Sequence, residues 1–335
     1  MSNFVDFLDG YRLQQKKTKG FVMPSINVQR SIHIKSSVED IHAILSDFSQ
    51  WRIWSPWLIT EPEAKMKIAA DGQSYLWQGK RIGQGSMQLI NVEQQELDDT
   101  IRLLNLTLTF LKPWKSTAQV QFQLVQQGDD VKVTWSMQSS LPLFIFWLKK
   151  MMQAVIGMDY ERGLLMLKDY IETGEVVCQL AIQGTTEYLG GNYIGIKRKC
   201  DKADMVNTIL DDFNTLTEFM NNNANLEILK GCTIYHKFDL VSEEVEYTAG
   251  VIINRLPTQL PEPLVVGNIP VMKVFSVKQT GPYHHLGNAW SMLMGLQRAK
   301  AFKPVKIHPP FELYHNHPQL VDEKKLTTEI VFACK

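Results

Sequence analysis

The strongest constraint on this chain is that part of it repeats itself. At a constant offset of 79 residues, with no gap, Ile234-Tyr235-His236 falls on Leu313-Tyr314-His315, Glu244 on Glu323, Thr248 on Thr327, and Val251-Ile252-Ile253 on Ile330-Val331-Phe332. Each copy is preceded by a strand-like stretch (Tyr193–Lys199 and Met272–Lys278) and then by a helical pattern. Met205, Ile209, Phe213, Leu216 and Met220 mark the first helix; Leu286, Ala289, Trp290, Leu293 and Met294 mark the second. The Pro-containing segment Leu256–Pro270 joins the copies. One such unit cannot bury its apolar face alone, whereas two can pair into a single sheet. The pattern therefore predicts a duplicated strand–helix–strand–strand region with both helices on one face of a sheet and the opposite face open.

The repeat occupies only the second half of a 335-residue chain, a length that suits two domains better than one. Apolar residues make up 44% and charged residues 21%, which excludes a disordered, collagen-like or disulfide-scaffold chain. Lys and Arg balance Asp and Glu at 35 each, and neither half is a polycation: 19 basic and 18 acidic residues precede Gly174, and 16 and 17 follow. Such a chain has no electrostatic footprint for nucleic acid. Cys178, Cys200, Cys232 and Cys334 are widely spaced, with no C-x-x-C, and read as core residues of a reducing compartment. Asp6 and Asp9 interrupt the apolar N-terminus, so no signal peptide is expected; the longest apolar run, Leu141 to Leu148, is too short for a membrane span. A cytoplasmic, soluble protein is expected.

The first half reads as a tail or short amphipathic helix over residues 1–25, then a strand from Ile26 with alternating Val28, Arg30, Ile32 and Ile34. Ser36-Ser37 open a capped helix carrying Val38, Ile41, Ile44 and Leu45. Turn signals at Asp71-Gly72, Gly79-Lys80 and Gly128-Asp129 separate about six strands. A long helix from Phe144 to Ile171 closes the region, with Trp147, Met151, Val155, Met158, Leu165 and Tyr170 on its apolar side and Gly174 as its stop. The class is α+β.

Trp54-Ser55-Pro56-Trp57, Tyr75-Leu76-Trp77-Gln78-Gly79, Gly83-Gln84-Gly85-Ser86-Met87 and Val131-Lys132-Val133-Thr134-Trp135-Ser136 carry a resemblance. Over about Ile26 to Ile171 they resemble the START-like SRPBCC superfamily, in its polyketide-cyclase-like branch. That resemblance implies a helix-grip fold with a deep cavity between sheet and long helix. Trp57, Trp77, Met87, Phe110 and Trp135 are the candidate lining, with ordinary core packing as the alternative for each. No acid–base pair stands out there.

In the second half, Gly281-Pro282-Tyr283, the run Phe311-Glu312-Leu313-Tyr314-His315-Asn316-His317-Pro318, and Thr328-Glu329-Ile330-Val331 resemble the GyrI-like effector-binding fold, also found at the C-terminus of multidrug-sensing transcription regulators. The likeness spans about Glu187 to Lys335. A START-like region stands where those regulators carry a DNA-binding domain, so the resemblance implies effector binding without DNA reading. The expected organisation is a tail over 1–25, a START-like domain over 26–173, a linker over 174–186 and a GyrI-like domain over 187–335.

Alternation along Phe311–Asn316 puts Phe311, Leu313 and His315 on one side, and Glu312, Tyr314 and Asn316 on the other. With the apolar side toward the helices, Glu312 and Tyr314 are expected on the open face. The repeat keeps the tyrosine (Tyr235, Tyr314) but pairs Glu312 with Thr233, so symmetry breaks at the acid. Glu312 also matches the glutamate that multidrug-binding members of the family place in their pocket. An acid in an aromatic cleft is desolvated and suits a cationic or strongly polarised lipophilic ligand. Tyr193, Tyr235, Tyr283 and Trp290 are the candidate walls.

Two roles stay open: ligand binding, or hydrolysis of strained alkylating electrophiles, an activity known among GyrI-like proteins. In the second, Glu312 is the general base and Tyr314 its orienter or proton donor. A protein partner has no residue-level support. His315-x-His317 and His284-His285 lack the further ligands a metal needs, so no metal is expected, nor any cofactor. G-x-S-x-G, H-E-x-x-H and P-loop motifs are absent.

Overall fold

The computed structural model describes residues 25–90, 100–112, 115–140, 143–223 and 225–335. Of the expected N-terminal tail over 1–25, residues 1–24 lie outside the described residues, and Ser25 opens the first strand. Strand β1 (Ser25–Lys35) leads into helix α1 (Val38–Ser46), whose first turn is capped by the Ser37 hydroxyl accepting from the Asp40 amide at 3.1 Å. A single turn, α2 (Trp51–Trp54), precedes six strands: β2 (Lys65–Ile68), β3 (Ser74–Gln78), β4 (Gln84–Leu89), β5 (Ile101–Lys112), β6 (Ser116–Gln127) and β7 (Asp130–Ser140). All pair antiparallel in the order β1-β7-β6-β5-β4-β3-β2. A 3₁₀ segment (Leu143–Leu148) runs into the long helix α3 (Lys149–Thr173), which ends at Gly174 in the left-handed region (φ 82°).

Helix α3 grips this sheet through Tyr160, Leu164 and Leu167, and Tyr160 stacks on Trp135 with ring centroids 4.0 Å apart. Gly163 permits that approach, since a Cβ there would sit 2.8 Å from the Trp135 ring. The expected apolar stripe is corrected at its start. Trp147 and Met151 are 69% and 43% exposed, because burial along the helix begins near Gly157, where it crosses β1.

The second half forms an eight-stranded sheet from β8 (Gln179–Tyr188), β9 (Gly191–Asp201), β10 (Ile228–Asp239), β11 (Glu244–Ile253), β12 (Leu264–Ile269), β13 (Met272–Thr280), β14 (Phe311–Tyr314) and β15 (Thr327–Ala333). The stretch expected as a linker over 174–186 holds most of β8, which pairs with β13 along the sheet edge. The order β12-β9-β11-β10-β14-β15-β13-β8 shows the duplication directly: β9-β11-β10 of one copy meets β14-β15-β13 of the other. Helix α4 (Met205–Asn221) packs on β9 and β11, and α5 (Leu286–Arg298) on β13 and β15.

Strands β10 and β14 meet at the centre, antiparallel, with Thr233 opposite Glu312, Cys232 opposite Leu313 and Ile234 opposite Phe311. A local two-fold relation therefore passes between Thr233 and Glu312, the two positions that the repeat makes equivalent.

One expectation about this sheet is reversed. Its helix-free face is not open, because Cys232, Ile234, Phe311, Leu313 and Val331 are buried there beneath Tyr188, Tyr193 and Met272. Tyr188 from β8, at one end of the strand order, reaches Phe311 of central β14 at 5.3 Å between rings, and Ile269 of β12, at the other end, belongs to the same buried cluster. Phe311 and Leu313 fill this second core. Glu312 and Tyr314, alternating with them, project between the two helices instead.

The two halves meet along another stripe of α3. The guanidinium of Arg162 donates to the Asn288 side-chain oxygen at 2.6 Å, to the Pro56 carbonyl at 3.1 Å and to Asp159 at 2.5 Å. Asn288 in turn donates to Met166 Sδ and Cys178 Sγ. One and two turns of α3 beyond Arg162 stand Met166 and Asp169, and Asp169 receives both His284 and His285 at 2.8 Å. Lys202 adds an ion pair to Glu161 at 2.6 Å.

Candidate functional site

Helices α4 and α5 cover the outer strands of the duplicated sheet and leave β10 and β14 between them as the floor of a cleft. Glu312 stands on that floor, 3% exposed. The Trp290 indole N–H, from α5, donates to one carboxylate oxygen at 2.6 Å, and the Tyr314 hydroxyl donates to the other at 2.7 Å. Tyr235 turns its hydroxyl to the same group from β10. Thr233, directly across the strand pair, bonds the Tyr314 oxygen at 2.9 Å. The two tyrosines thus act equivalently under the local two-fold, each reaching the residue on the opposing strand.

Every one of these donors is neutral, and no ion pair among the described residues involves Glu312. Burial raises the carboxyl above its ordinary range, and the hydrogen bonds from Trp290, Tyr314 and Tyr235 only partly offset that rise. The phenols respond in kind. Burial and the facing carboxylate push Tyr235 and Tyr314 well above the usual tyrosine value, and Tyr283 up to about 12. The site is an acid held in an apolar cage of neutral donors.

The cage has aromatic walls. Phe213 from α4 meets Tyr314 edge-on at 5.6 Å, Tyr283 meets it at 5.6 Å, and Tyr235 meets Trp290 at 5.2 Å. Phe213, Tyr283, Trp290 and Tyr314 are each half-buried and form the rim. Beyond Tyr235 lies a cavity of about 380 Å³, bounded also by His236, Gln297, Phe332 and the Pro304–Pro310 loop. Tyr235 is therefore a shared wall between that cavity and the carboxylate.

Five of the six residues expected at this site come together: Glu312, Tyr314, Tyr235, Tyr283 and Trp290. Tyr193 does not. It alternates with Ile194 and Ile196, which face α4, so its ring is carried to the other face of the sheet beside Cys232 and Ile252. Sequence reasoning missed Phe213 and Thr233. The repeat offered a signal for Thr233, as the partner of Glu312, and helical spacing one for Phe213.

In the first half the expected cavity lining is packed together. Trp57 meets Trp135 at 5.8 Å, Trp135 stacks on Phe122 and Tyr160, Trp77 meets Phe110 at 5.9 Å, and Met87 is 1% exposed in the same cluster. Trp57 also donates to Asp159 at 3.0 Å, tying it to the charged group that holds Arg162. These aromatics form one contiguous cluster between sheet and helix.

Residues 25–172 match the family model described as polyketide cyclase / dehydrase and lipid transport. No curated protein matches the chain. Among solved structures it is similar to EcmrR in a complex with DNA, at 18% identity over 56% of this chain and 69% of that one, with a TM-score of 0.40. It is also similar to the EcmrR C-terminal domain (19% identity, 47% and 98% covered, TM-score 0.38) and to an integron cassette protein of Vibrio cholerae (20% identity, 47% and 99% covered, TM-score 0.33). The family match covers the β1–β7 sheet and helix α3, and the second half is the duplicated eight-stranded sheet described above. Small-molecule binding in general is the role this family match supports.

Proposed function

We propose that the cleft between α4 and α5 binds a lipophilic organic cation, with Glu312 as its counter-charge and Phe213, Tyr235, Tyr283, Trp290 and Tyr314 as aromatic walls. The observation that carries this reading is the burial of Glu312 with neutral donors alone. An unpaired buried carboxylate is expensive to keep, and a desolvated cation relieves that while the ring faces add cation–π attraction of about 0.5–2 kcal/mol. Hydrolysis with Glu312 as general base needs a lone pair free for water. Trp290, Tyr314 and Tyr235 take three of the roughly four acceptor positions of the carboxylate, and Glu312 is only 3% exposed, which leaves little access for water and favours binding over turnover.

The balanced charge supports a small-molecule role over a nucleic-acid one. Four free cysteines, with burial pushing Cys178 up to about 11 and Cys232 up to about 12, support a reducing, cytoplasmic setting. No helix among the described residues is long and apolar enough to cross a membrane.

The test is titration of the full chain with an aryl quaternary-ammonium probe and with its neutral carbon isostere, followed by mass spectrometry of the recovered probe. Binding of the cation alone, recovered unchanged, is the expected result. Equal binding of the neutral isostere removes the counter-charge role, and a hydrated product replaces binding with hydrolysis.

A further inference from the structure

We propose that Asp169, His284 and His285 form a binding site for a first-row divalent transition-metal ion, of the zinc or cobalt kind, at the seam between the two halves. Asp169 comes from α3, whereas the histidines stand on the 3₁₀ turn (Tyr283–His285) that opens α5. Both imidazole Nε2 atoms lie 2.8 Å from one oxygen, Asp169 Oδ2, and the three donor atoms are all within 4.8 Å of one another. Two imidazoles and a carboxylate converging from two elements match the donor set zinc and its neighbours prefer, at about 2.0–2.2 Å from the ion. His284 is 40% exposed along its side chain and Asp169 25%, so one side stays open for a water ligand.

A second observation points the same way. A carboxylate oxygen only accepts, so both Nε2 atoms carry hydrogen in the metal-free arrangement, and Nδ1 is left as a bare acceptor. For His285, which is 1% exposed, that Nδ1 is buried with no hydrogen-bond partner. Gln279, also 1% exposed, has an equally orphaned Oε1. The two residues are neighbours: the Gln279 side-chain amide and the His285 backbone amide donate to the same Pro282 carbonyl, at 3.0 and 3.1 Å. Metal at Nε2 shifts the ring proton to Nδ1, and a metal-bound histidine ordinarily hands that second N–H to an oxygen acceptor; Gln279, held to the same carbonyl as His285, carries one that has no donor.

The site differs from the cleft in chemistry and location, so the two can fail independently. The experiment uses chelator-stripped full-length chain, titrated with Zn²⁺ by calorimetry and with Co²⁺ by its visible d–d absorption. One ion per chain is expected, with affinity at least tenfold weaker in Asp169→Asn and in His284→Ala. His284 is partly exposed, so its alanine variant keeps the fold, which circular dichroism verifies. His317→Ala, removing an exposed histidine elsewhere, is expected to bind as wild type. Absence of stoichiometric binding by wild type at micromolar Zn²⁺, or undiminished binding by His284→Ala, overturns the site.

Discussion

Glu312→Gln is the most informative single change, because it keeps the shape of the side chain and removes only its charge. Two effects follow with opposite signs. In the ligand-free protein the carboxyl is raised above its ordinary value, so burial outweighs the hydrogen bonds from Trp290, Tyr314 and Tyr235. A neutral amide escapes that penalty and still accepts one of those bonds. Unfolding in denaturant at neutral pH should show stability unchanged or increased, unlike the loss typical of buried polar substitutions. In the bound protein the loss is electrostatic. A cation about 4 Å from a carboxylate gains up to about 4 kcal/mol at an effective dielectric near 20. Allowing half of that for solvent left in the half-open cleft gives about 2–4 kcal/mol, or roughly 30- to 1,000-fold in affinity. Calorimetry of the quaternary-ammonium probe reads this directly, and Trp290 fluorescence gives a second signal at the site. If the variant weakens the cation and its neutral isostere equally, the charge argument is refuted and Glu312 is a packing residue.

The remaining predictions concern the same cage and its frame. Because Glu312 is raised in the folded chain, folded protein keeps its proton longer than unfolded chain does. Its contribution to stability is present below the ordinary carboxyl value of 4.5 and falls as pH climbs through the raised one, while cation affinity climbs over that same interval; Glu312→Gln flattens both curves. Thr233→Glu places a second carboxyl directly across the strand pair from the first, and should lower stability by about 3–5 kcal/mol in denaturant. Thr233→Val loses only the bond to Tyr314 and should cost about 0.5–1.5 kcal/mol. At Gly281 the backbone sits at φ 139° and a Cβ would collide with the Val177 carbonyl, so Gly281→Ala should destabilise by about 2–3 kcal/mol or more by the same measurement.

Sequence and structure agree most where a pattern spans many residues. A constant repeat offset is enough to require two equivalent units, and the observed strand order is that symmetry written out. The capped helix α1, the six strands after it and the Gly174 stop were legible because each has a local chemical marker. Face assignment was not. Alternation says that Glu312 and Phe311 lie on opposite sides, but it is silent on which side carries the helices when both sides are buried. The missing term was the covering of the second face by Tyr188 and Tyr193, a contact between distant strands. The same ambiguity explains the first half: a tryptophan that lines a cavity and one that fills a core have the same sequence signature. The α3 seam was illegible for a related reason, since Arg162 and Asp169 look like ordinary polar positions until the other half is placed beside them.

The local two-fold through Thr233 and Glu312 has a genetic consequence. In a homodimer of single units, one codon would specify both sides of the axis, so any acid there would arrive in duplicate. Two buried carboxylates face to face repel, and one must take up a proton, which cancels half the charge a cation needs. Covalent duplication in one chain lifts that restriction. The two copies can then mutate separately at the one place where identity is harmful, while the tyrosines on either side stay matched. A single negative charge centred on a symmetric floor is something a fused pair can encode and a self-associating monomer cannot.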